Sequence, residues 1–171
     1  MLSAEKIAII EAKAENVLRS AYDGGSLEIP VNLGKVADRN GLTLTSATFK
    51  NSDVLGLFNR KERAIYIAQD TPFPRMAFTI AHEIGHYVLH QNKKRDIFLR
   101  LDEINIDMQS KEEEQEANWF AASLLMPRSK ILEFWTHPYD IDVQSKIEKL
   151  SLIFGVSKTA MLYRLKNLDL V

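Results

Sequence analysis

Apolar residues recur every three to four positions over several parts of this chain. This spacing is typical of amphipathic helices and predicts them at residues 3–22 and 30–40. The same period returns over about residues 74–89, where proline stands near the start, and over residues 111–126, which proline 127 closes. The chain is therefore expected to be mostly helical.

Three shorter segments follow a different pattern. Residues 42–49 alternate and are rich in β-branched side chains, and residues 54–58 and 64–67 are similar, which predicts three strands. The charged cluster at residues 60–63 predicts a hairpin turn between the last two. The polar stretch at residues 92–110 is assigned neither helix nor strand. Together the elements predict an α+β fold with a small three-stranded sheet.

The C-terminal part has the outline of a helix-turn-helix. Residues 147–154 predict a helix, residues 155–157 a tight turn, and residues 158–166 a second helix that begins after serine. We expect two units, which are a main domain at residues 1–130 and a helical appendage at residues 131–171 that packs on it.

The charge of this appendage argues against a DNA-reading role. A DNA reader needs basic and amide side chains at the start of its second helix, where this chain has only Lys158. Arg164 and Lys166 follow later, and Glu148 and Asp169 offset them. A structural or partner-binding appendage is favoured, and direct nucleic-acid binding is not expected.

Composition narrows the classes of protein and of metal site. The 171 residues carry a net charge of −1, which predicts no general attraction to nucleic acid or to anionic membranes. The chain has no cysteine, so disulfides and thiolate metal sites are excluded. Its apolar runs are shorter than a membrane span of about 18 residues, and the charged N-terminal helix is unlike a secretory signal. A cytoplasmic protein is expected.

The segment His82-Glu83-Ile84-Gly85-His86 matches the pattern H-E-x-x-H. On a helix, His82 and His86 lie one turn apart on the same face, so both imidazoles can reach one metal ion. Glu83 is offset by about 100° and suits a general base for a metal-activated water. His90 continues the face but lies about 12 Å from His82 along the helix, which favours a packing or supporting role.

A tetrahedral zinc site of this kind needs a third protein ligand, and the acidic run at the start of the later helix offers several. At about 100° per residue, Glu113 and Glu114 project near the apolar face, whereas Glu116 points more than about 100° away. Ser110 and Glu113 have the form of a capping box. Glu114 is favoured, with Asn118 one turn later as a supporting residue, and Glu116 and Glu113 stay open as alternatives.

Two segments together resemble the ImmA/IrrE family of metallopeptidases. They are His-Glu-Ile-Gly-His-Tyr-Val-Leu-His at residues 82–90 and the segment from Glu114 to Pro127, which begins Glu-Gln-Glu-Ala-Asn-Trp-Phe-Ala-Ala. The resemblance covers roughly residues 30–130. It implies a zincin-like domain with a gluzincin-like zinc site, in which His82, His86 and Glu114 are metal ligands and Glu83 is the general base.

The resemblance also implies a function. Family members inactivate helix-turn-helix repressors by cutting them, so the expected activity is that of a zinc-dependent endopeptidase with such a repressor as its substrate. Candidates for stabilising the oxyanion are Tyr87, His90, His137 and Tyr139. An extended substrate is expected along an exposed sheet edge, for which the strand at residues 64–67 is the expected template.

Two alternatives stay open. The first is a metal-binding sensor that cuts nothing, or a regulator that binds a partner or DNA through the same fold. The second concerns the metal, because histidine and carboxylate ligands also accept manganese, iron or cobalt.

Overall fold

The computed structural model describes residues 2–91, 97–101, 108–138 and 141–171. Within these ranges the chain forms seven helices and four strands, so the α+β fold class is confirmed. In chain order they are α1 (Ala4–Ala21), α2 (Leu33–Arg39), β1 (Thr43–Ala47), β2 (Val54–Asn59), β3 (Ala64–Ala68), α3 (Phe73–Leu89), β4 (Ile97–Leu101), α4 (Met108–Leu125), α5 (Arg128–Thr136), α6 (Val143–Phe154) and α7 (Lys158–Asn167).

Polar caps begin four of these helices. The side chains of Ser3, Asn32, Asp142 and Ser157 accept hydrogen bonds from backbone N–H groups in the first turns of α1, α2, α6 and α7. Such caps satisfy N–H groups that have no partner within the helix. α3 begins after Pro72 and carries a second proline in its first turn, where proline is tolerated.

The strands form one mixed sheet in the order β1-β3-β2-β4. β2 and β3 are antiparallel neighbours joined through residues 60–63, so the predicted hairpin turn is confirmed. β1 pairs with β3 in parallel, and β4 pairs with β2 in antiparallel fashion. β3 therefore has a strand on each side. The prediction that a substrate extends along residues 64–67 is wrong, because both edges of that strand are already paired.

Two elements are missing from the sequence predictions. β4 lies inside the polar stretch at residues 92–110 and adds a fourth strand to the three that were predicted, all of which are present. α5 follows Pro127 directly. In addition, α4 begins at Met108 and not at residue 111, so Ser110 lies inside the helix and the predicted capping box is wrong.

α3 and α4 pack against each other at the centre of the core. The buried side chains on α3 include Ala81 and Ile84, and those on α4 include Phe120, Ala121 and Leu124, all of them fully enclosed. Burial of apolar area on this scale is the main favourable contribution to folding. The sheet covers one side of α3, and α1 packs on α4.

The C-terminal helices have the predicted helix-turn-helix outline and share the same core. Gly155 joins α6 to α7 with a φ of 65°, a left-handed conformation that glycine adopts without strain. Leu150, Phe154, Met161 and Leu165 belong to the hydrophobic cluster that also holds α3 and α4. The division of the chain near residue 130 stays a prediction.

A buried arginine ties α7 to the rest of the molecule. Arg164 is only 2% exposed. Its Nε donates to the carbonyl oxygen of Met126 at 3.1 Å, and its Nη1 lies 2.8 Å from a carboxylate oxygen of Glu11 on α1. Arg164 is therefore a packing residue rather than a surface cation.

Among the described residues, no helix is long and apolar enough to cross a membrane.

Candidate metal centre

α3 presents two histidines and a glutamate inside the protein. His82 and His86 are each 1% exposed, and Glu83 is fully buried. Burying such groups is costly unless polar partners satisfy them. Since His82 and His86 are separated by one turn, their imidazoles lie on the same face, with 3.0 Å between the two Nε2 atoms.

A close approach of α4 completes the group. Gly85 faces α4 so closely that a Cβ there would lie 3.3 Å from the Cα of Ala117 and 3.2 Å from the ring of Phe120. A side chain at position 85 would hold the two helices further apart. The glycine thus lets the first turns of α4 reach the histidines.

Glu114 lies opposite the two imidazoles. Its carboxylate oxygens are 3.2 Å from Nε2 of His82 and 3.1 Å from Nε2 of His86. Burial raises the pKa of Glu114, but hydrogen bonding to His82 and His86 outweighs burial and holds its pKa well below the usual range. The carboxylate is therefore ionised and available as a ligand.

These three side chains fit a divalent metal ion. Their ligand atoms all lie within 4.8 Å of one another, and three of the separations are 3.0, 3.1 and 3.2 Å. Zinc bonds of about 2.0–2.1 Å at tetrahedral angles place neighbouring ligand atoms about 3.3–3.4 Å apart. The group is thus close to the size that zinc requires, and its donors are the nitrogen and oxygen atoms that zinc accepts.

The second nitrogen of each histidine contacts a specific partner. Nδ1 of His82 lies 3.0 Å from the Oδ1 of Asn118, one turn after Glu114 on α4. Nδ1 of His86 lies 3.0 Å from Nδ1 of His90. Hydrogen bonds at Nδ1 orient both rings, so that Nε2 of each ring faces the carboxylate of Glu114.

Glu116, which the sequence leaves open as a ligand, points elsewhere. Its Oε2 is 2.9 Å from Nε2 of His90 and its Oε1 is 2.7 Å from Nζ of Lys6, and its side chain is only 15% exposed. Although Glu116 was predicted to point more than about 100° away from the apolar face, its side chain is largely covered, because α1 and α3 both pack on α4 and enclose a wider face than the apolar residues indicate. Glu113 is not part of the His82, His86 and Glu114 group.

The contact between His90 and Glu116 also affects the ionisation of both side chains. Burial lowers the pKa of His90, more than the nearby carboxylate of Glu116 raises it. Burial raises the pKa of Glu116, but hydrogen bonds with Lys6 and His90 outweigh it, so the pKa of Glu116 falls below its ordinary value. The favoured state is a neutral histidine beside an ionised carboxylate.

Glu83 lies on the side of α3 that faces the sheet. A Cβ at Gly56 in β2 would lie 2.4 Å from Cγ2 of Thr79 and 3.9 Å from Oε1 of Glu83. The glycine therefore allows the strand to pass close to the helix at this point. Glu83 is next to His82 in the chain but is not a member of the His-His-Glu group.

The structure separates the candidates for oxyanion stabilisation. The hydroxyl of Tyr87 lies 2.8 Å from Nη2 of Arg63, beside the β2–β3 turn. His90 contacts Glu116 and the Nδ1 side of the His86 ring, away from the Nε2 atoms that face Glu114. His137 is exposed at the end of α5. Tyr139 lies outside the described residues.

Two cavities lie beside the candidate metal centre. One, of about 770 Å³, is lined mainly by apolar residues of α1, α4 and α7 and includes Asn118 and Trp119. The other, of about 660 Å³, borders Thr79 and Leu55. Both include Phe78, whose ring centroid is 6.5 Å from that of His82. Neither is lined by the three candidate ligands, so they flank the site.

Several contributors could not be found by sequence reasoning. Lys6 precedes Glu116 by more than one hundred positions and belongs to no recognisable motif, so nothing in the sequence links the two residues. Gly85 lies inside the H-E-x-x-H segment, where its close contact depends on how α4 crosses. Gly56 is a glycine within a strand, a pattern that often marks a close backbone approach, and this was the one available signal.

Comparison with known proteins gives the fold and the family. No curated protein sequence matches this chain. Among solved structures it is similar to a Mycobacterium tuberculosis transcriptional regulator, with a TM-score of 0.65 and 16% sequence identity over 92% of this chain and 46% of that one. This similarity shows a shared fold, and the chain spans less than half the length of that regulator.

A family model covers most of the chain. It is described as the IrrE N-terminal-like domain, Peptidase_M78, and it matches residues 37–166. The match includes both segments that carry the ImmA/IrrE resemblance, at residues 82–90 and 114–127, and that prediction is confirmed. The chain belongs to the IrrE N-terminal-like domain family, Peptidase_M78.

Proposed function

We propose that this protein is a zinc-dependent endopeptidase that hydrolyses peptide bonds in a protein substrate. The observation that carries the proposal is the convergence of His82, His86 and Glu114 on one point, with the buried carboxylate of Glu83 next to His82 on the same helix. The Peptidase_M78 family supports a peptidase. Zinc is our choice of metal because two imidazoles and a carboxylate are typical ligands of catalytic zinc.

The proposed ligands are Nε2 of His82, Nε2 of His86 and the carboxylate of Glu114. Three protein ligands leave one position of a tetrahedron for water or substrate, as in catalytic zinc sites. A bound zinc ion would supply Lewis acidity, which makes water a better nucleophile at neutral pH and polarises the scissile carbonyl. Asn118 holds His82 in the required orientation.

Glu83 acts as the general base in this proposal. Its carboxylate accepts a proton from the attacking water and then delivers that proton to the nitrogen of the leaving amine. Its position outside the His-His-Glu group is consistent with proton transfer rather than metal binding.

We place an extended substrate along the outer edge of β4. β4 ends the sheet next to β2 and also contacts α3, which carries the candidate site. Backbone groups at a sheet edge can pair with an added strand, which is a common mode of peptide recognition.

A helix-turn-helix transcriptional repressor is the proposed class of substrate. The ImmA/IrrE resemblance implies it, and the similar solved structure is that of a transcriptional regulator. A repressor substrate would place the protein in the cytoplasm.

The test combines metal content with cleavage. Elemental mass spectrometry of the purified protein should find about one zinc per chain in wild type and in Glu83→Gln, and little in Glu114→Ala. A candidate repressor incubated with each protein should be cut only by wild type. Cleavage by Glu83→Gln at the wild-type rate would overturn the mechanism, and a zinc-free wild type after reconstitution would overturn the metal site.

A second candidate is a metal-binding sensor that regulates a partner without cutting it. The similarity to a transcriptional regulator favours it. The same incubation separates the two functions. Equal binding of the repressor by wild type and Glu83→Gln, with no fragments from either, would support the sensor.

A further inference from the structure

A continuous line of hydrogen-bonding side chains runs from the surface of α1 to the candidate metal centre. Nζ of Lys6 is 2.7 Å from Oε1 of Glu116, and Oε2 of Glu116 is 2.9 Å from Nε2 of His90. Nδ1 of His90 is 3.0 Å from Nδ1 of His86. The side chains become more buried along this path, from 39% exposure at Lys6 to 15% at Glu116 and 3% at His90.

The direction of each hydrogen bond follows from the proposed metal site. If Nε2 of His86 faces the metal, its proton is on Nδ1, and that N–H donates to Nδ1 of His90. His90 must then be neutral, with its own proton on Nε2, where it donates to Glu116. Glu116 accepts from His90 with one oxygen and from Lys6 with the other. Every step has one donor and one acceptor, so the line is consistent throughout.

We propose that Glu116 and His90 form a positioning relay that fixes the ring orientation and tautomer of His86, and that Lys6 anchors this relay to α1. The proposal rests on the metal site proposed above and adds to it a contribution from three residues outside the ligand set. Zinc affinity would then depend on the docking of the N-terminal helix, because Lys6 is the α1 member of the relay.

The neighbouring Glu112 provides a matched comparison. Its Oε1 is also 2.7 Å from Nζ of Lys6, and it lies one turn before Glu116 on α4. Its side chain is 64% exposed, however, and Glu116 is the residue that reaches His90. An ion pair that merely joins α1 to α4 would use the two glutamates alike. A relay to His86 depends on Glu116.

The test is the zinc dissociation constant, measured by competition with a chromophoric chelator. Replacing a hydrogen-bond partner of a ligating histidine typically weakens metal binding about 10–100-fold. Because Glu116 reaches His86 only through His90, we expect a loss near the lower end of that range, about tenfold, for Glu116→Ala. A smaller loss is expected for Glu116→Gln, whose amide oxygen still accepts from His90, and less than about twofold for Glu112→Ala. Thermal unfolding of the zinc-free proteins reports any general loss of stability.

A second readout follows the His86 ring itself. In the zinc-loaded wild type, nuclear magnetic resonance should detect a slowly exchanging Nδ1 proton on His86, and Glu116→Ala should lose it while Glu112→Ala retains it. Equal zinc affinity in Glu116→Ala and Glu112→Ala, with zinc lost only in Glu114→Ala, would overturn the relay and leave the metal site intact. Failure of wild type to bind zinc would overturn both.

Discussion

Gly85 of α3 lies directly against Ala117 of α4. A Cβ at position 85 would be 3.3 Å from both the Cα and the carbonyl oxygen of Ala117, closer than side chains normally come to backbone. On α3, Gly85 lies between His82 and His86. On α4, Ala117 comes three residues after Glu114. The geometry of the candidate metal centre therefore depends on a residue that has no side chain.

Gly85→Ala should weaken both zinc binding and the fold. Alanine favours a helix over glycine by about 1 kcal/mol, but overpacking a core typically costs about 1–3 kcal/mol. The atoms that must move include backbone, so we expect the overpacking to prevail, with a net loss of about 1 kcal/mol in the free energy of unfolding. Urea denaturation measures this change, and chelator competition measures the zinc affinity.

Gly34→Ala is the control for this change, since it adds the same methyl group to α2, where the Cβ would meet only the Oδ1 of Asn32, at 3.3 Å. It should leave zinc affinity unchanged. A Gly85→Ala protein that is more stable than wild type and binds zinc equally well would show that α4 can shift without disturbing the site.

Asn118 should contribute to zinc affinity through His82. Asn118→Ala removes the acceptor that lies 3.0 Å from Nδ1 of His82, so the ring is no longer held, and a loss of about 10–100-fold in affinity is expected. Asn118→Asp keeps an acceptor and should retain most of the affinity. Gln115→Ala, on the same helix, is the control. An unaffected Asn118→Ala would mean that packing alone orients His82.

The H-E-x-x-H segment was the part of the site most accessible from sequence. Helical periodicity alone requires His82 and His86 to share a face, and the same periodicity brings Glu114 and Asn118 to one side of α4. Those inferences need only local geometry. They do not predict the burial of Glu116. The width of the buried face of α4 depends on α1, which packs on α4 although the two helices are far apart in the sequence.

The sheet shows the same limit. The three predicted strands were recognisable from their own residues, but their neighbours were not. β3 follows β2 through a short turn, yet β1 pairs with its other edge, and this pairing depends on the whole fold. β4 is only five residues long and lies between charged residues, so its apolar residues did not distinguish it from the polar stretch around it. The assumed edge strand was therefore the wrong one.

Zinc should stabilise the protein against heat. A ligand that binds only the folded state adds about 2.7 kcal/mol at one hundred times its dissociation constant, which for a chain of this length corresponds to about 5–10 °C in Tm. Differential scanning fluorimetry of chelator-treated protein, with and without added zinc, measures the shift. Glu83→Gln should respond like wild type, whereas Glu114→Ala should not. A similar shift in Glu114→Ala would point to zinc bound elsewhere.

Arg164 should be important for stability. Its guanidinium is buried and bonds the carbonyl oxygen of Met126 and the carboxylate of Glu11, so Arg164→Met leaves both without that donor. Hydrogen bonds to charged groups contribute about 1.5–3 kcal/mol, and we expect a loss of about 2–3 kcal/mol in urea denaturation. Lys166→Met, at an exposed position of the same helix, should change stability by less than about 0.5 kcal/mol. Equal losses of stability in Arg164→Met and Lys166→Met would contradict the structural role of Arg164.

The helix-turn-helix formed by α6 and α7 should not bind DNA sequence-specifically. Of the basic residues near the turn, Lys158 is ion-paired with Glu148 on α6, and Arg164 is buried. Sequence-specific binding needs cations and amides that reach the bases and phosphates, and this surface offers few. Fluorescence anisotropy with duplex DNA should therefore show affinity no tighter than the non-specific range of about 10⁻⁴–10⁻⁶ M, with a shallow dependence on salt.

Lys158→Glu is the matched variant for the DNA measurement, because it reverses the charge of the basic residue that begins α7. If DNA binding is only non-specific, this change should weaken it modestly, because Lys158 is already paired with Glu148. Nanomolar binding by wild type that falls by about three orders of magnitude between 50 and 200 mM salt, and that Lys158→Glu abolishes, would instead identify α7 as a recognition helix. In that case the ion pair with Glu148 would have to open on binding, and the C-terminal helices would be a DNA-binding unit attached to the metal centre.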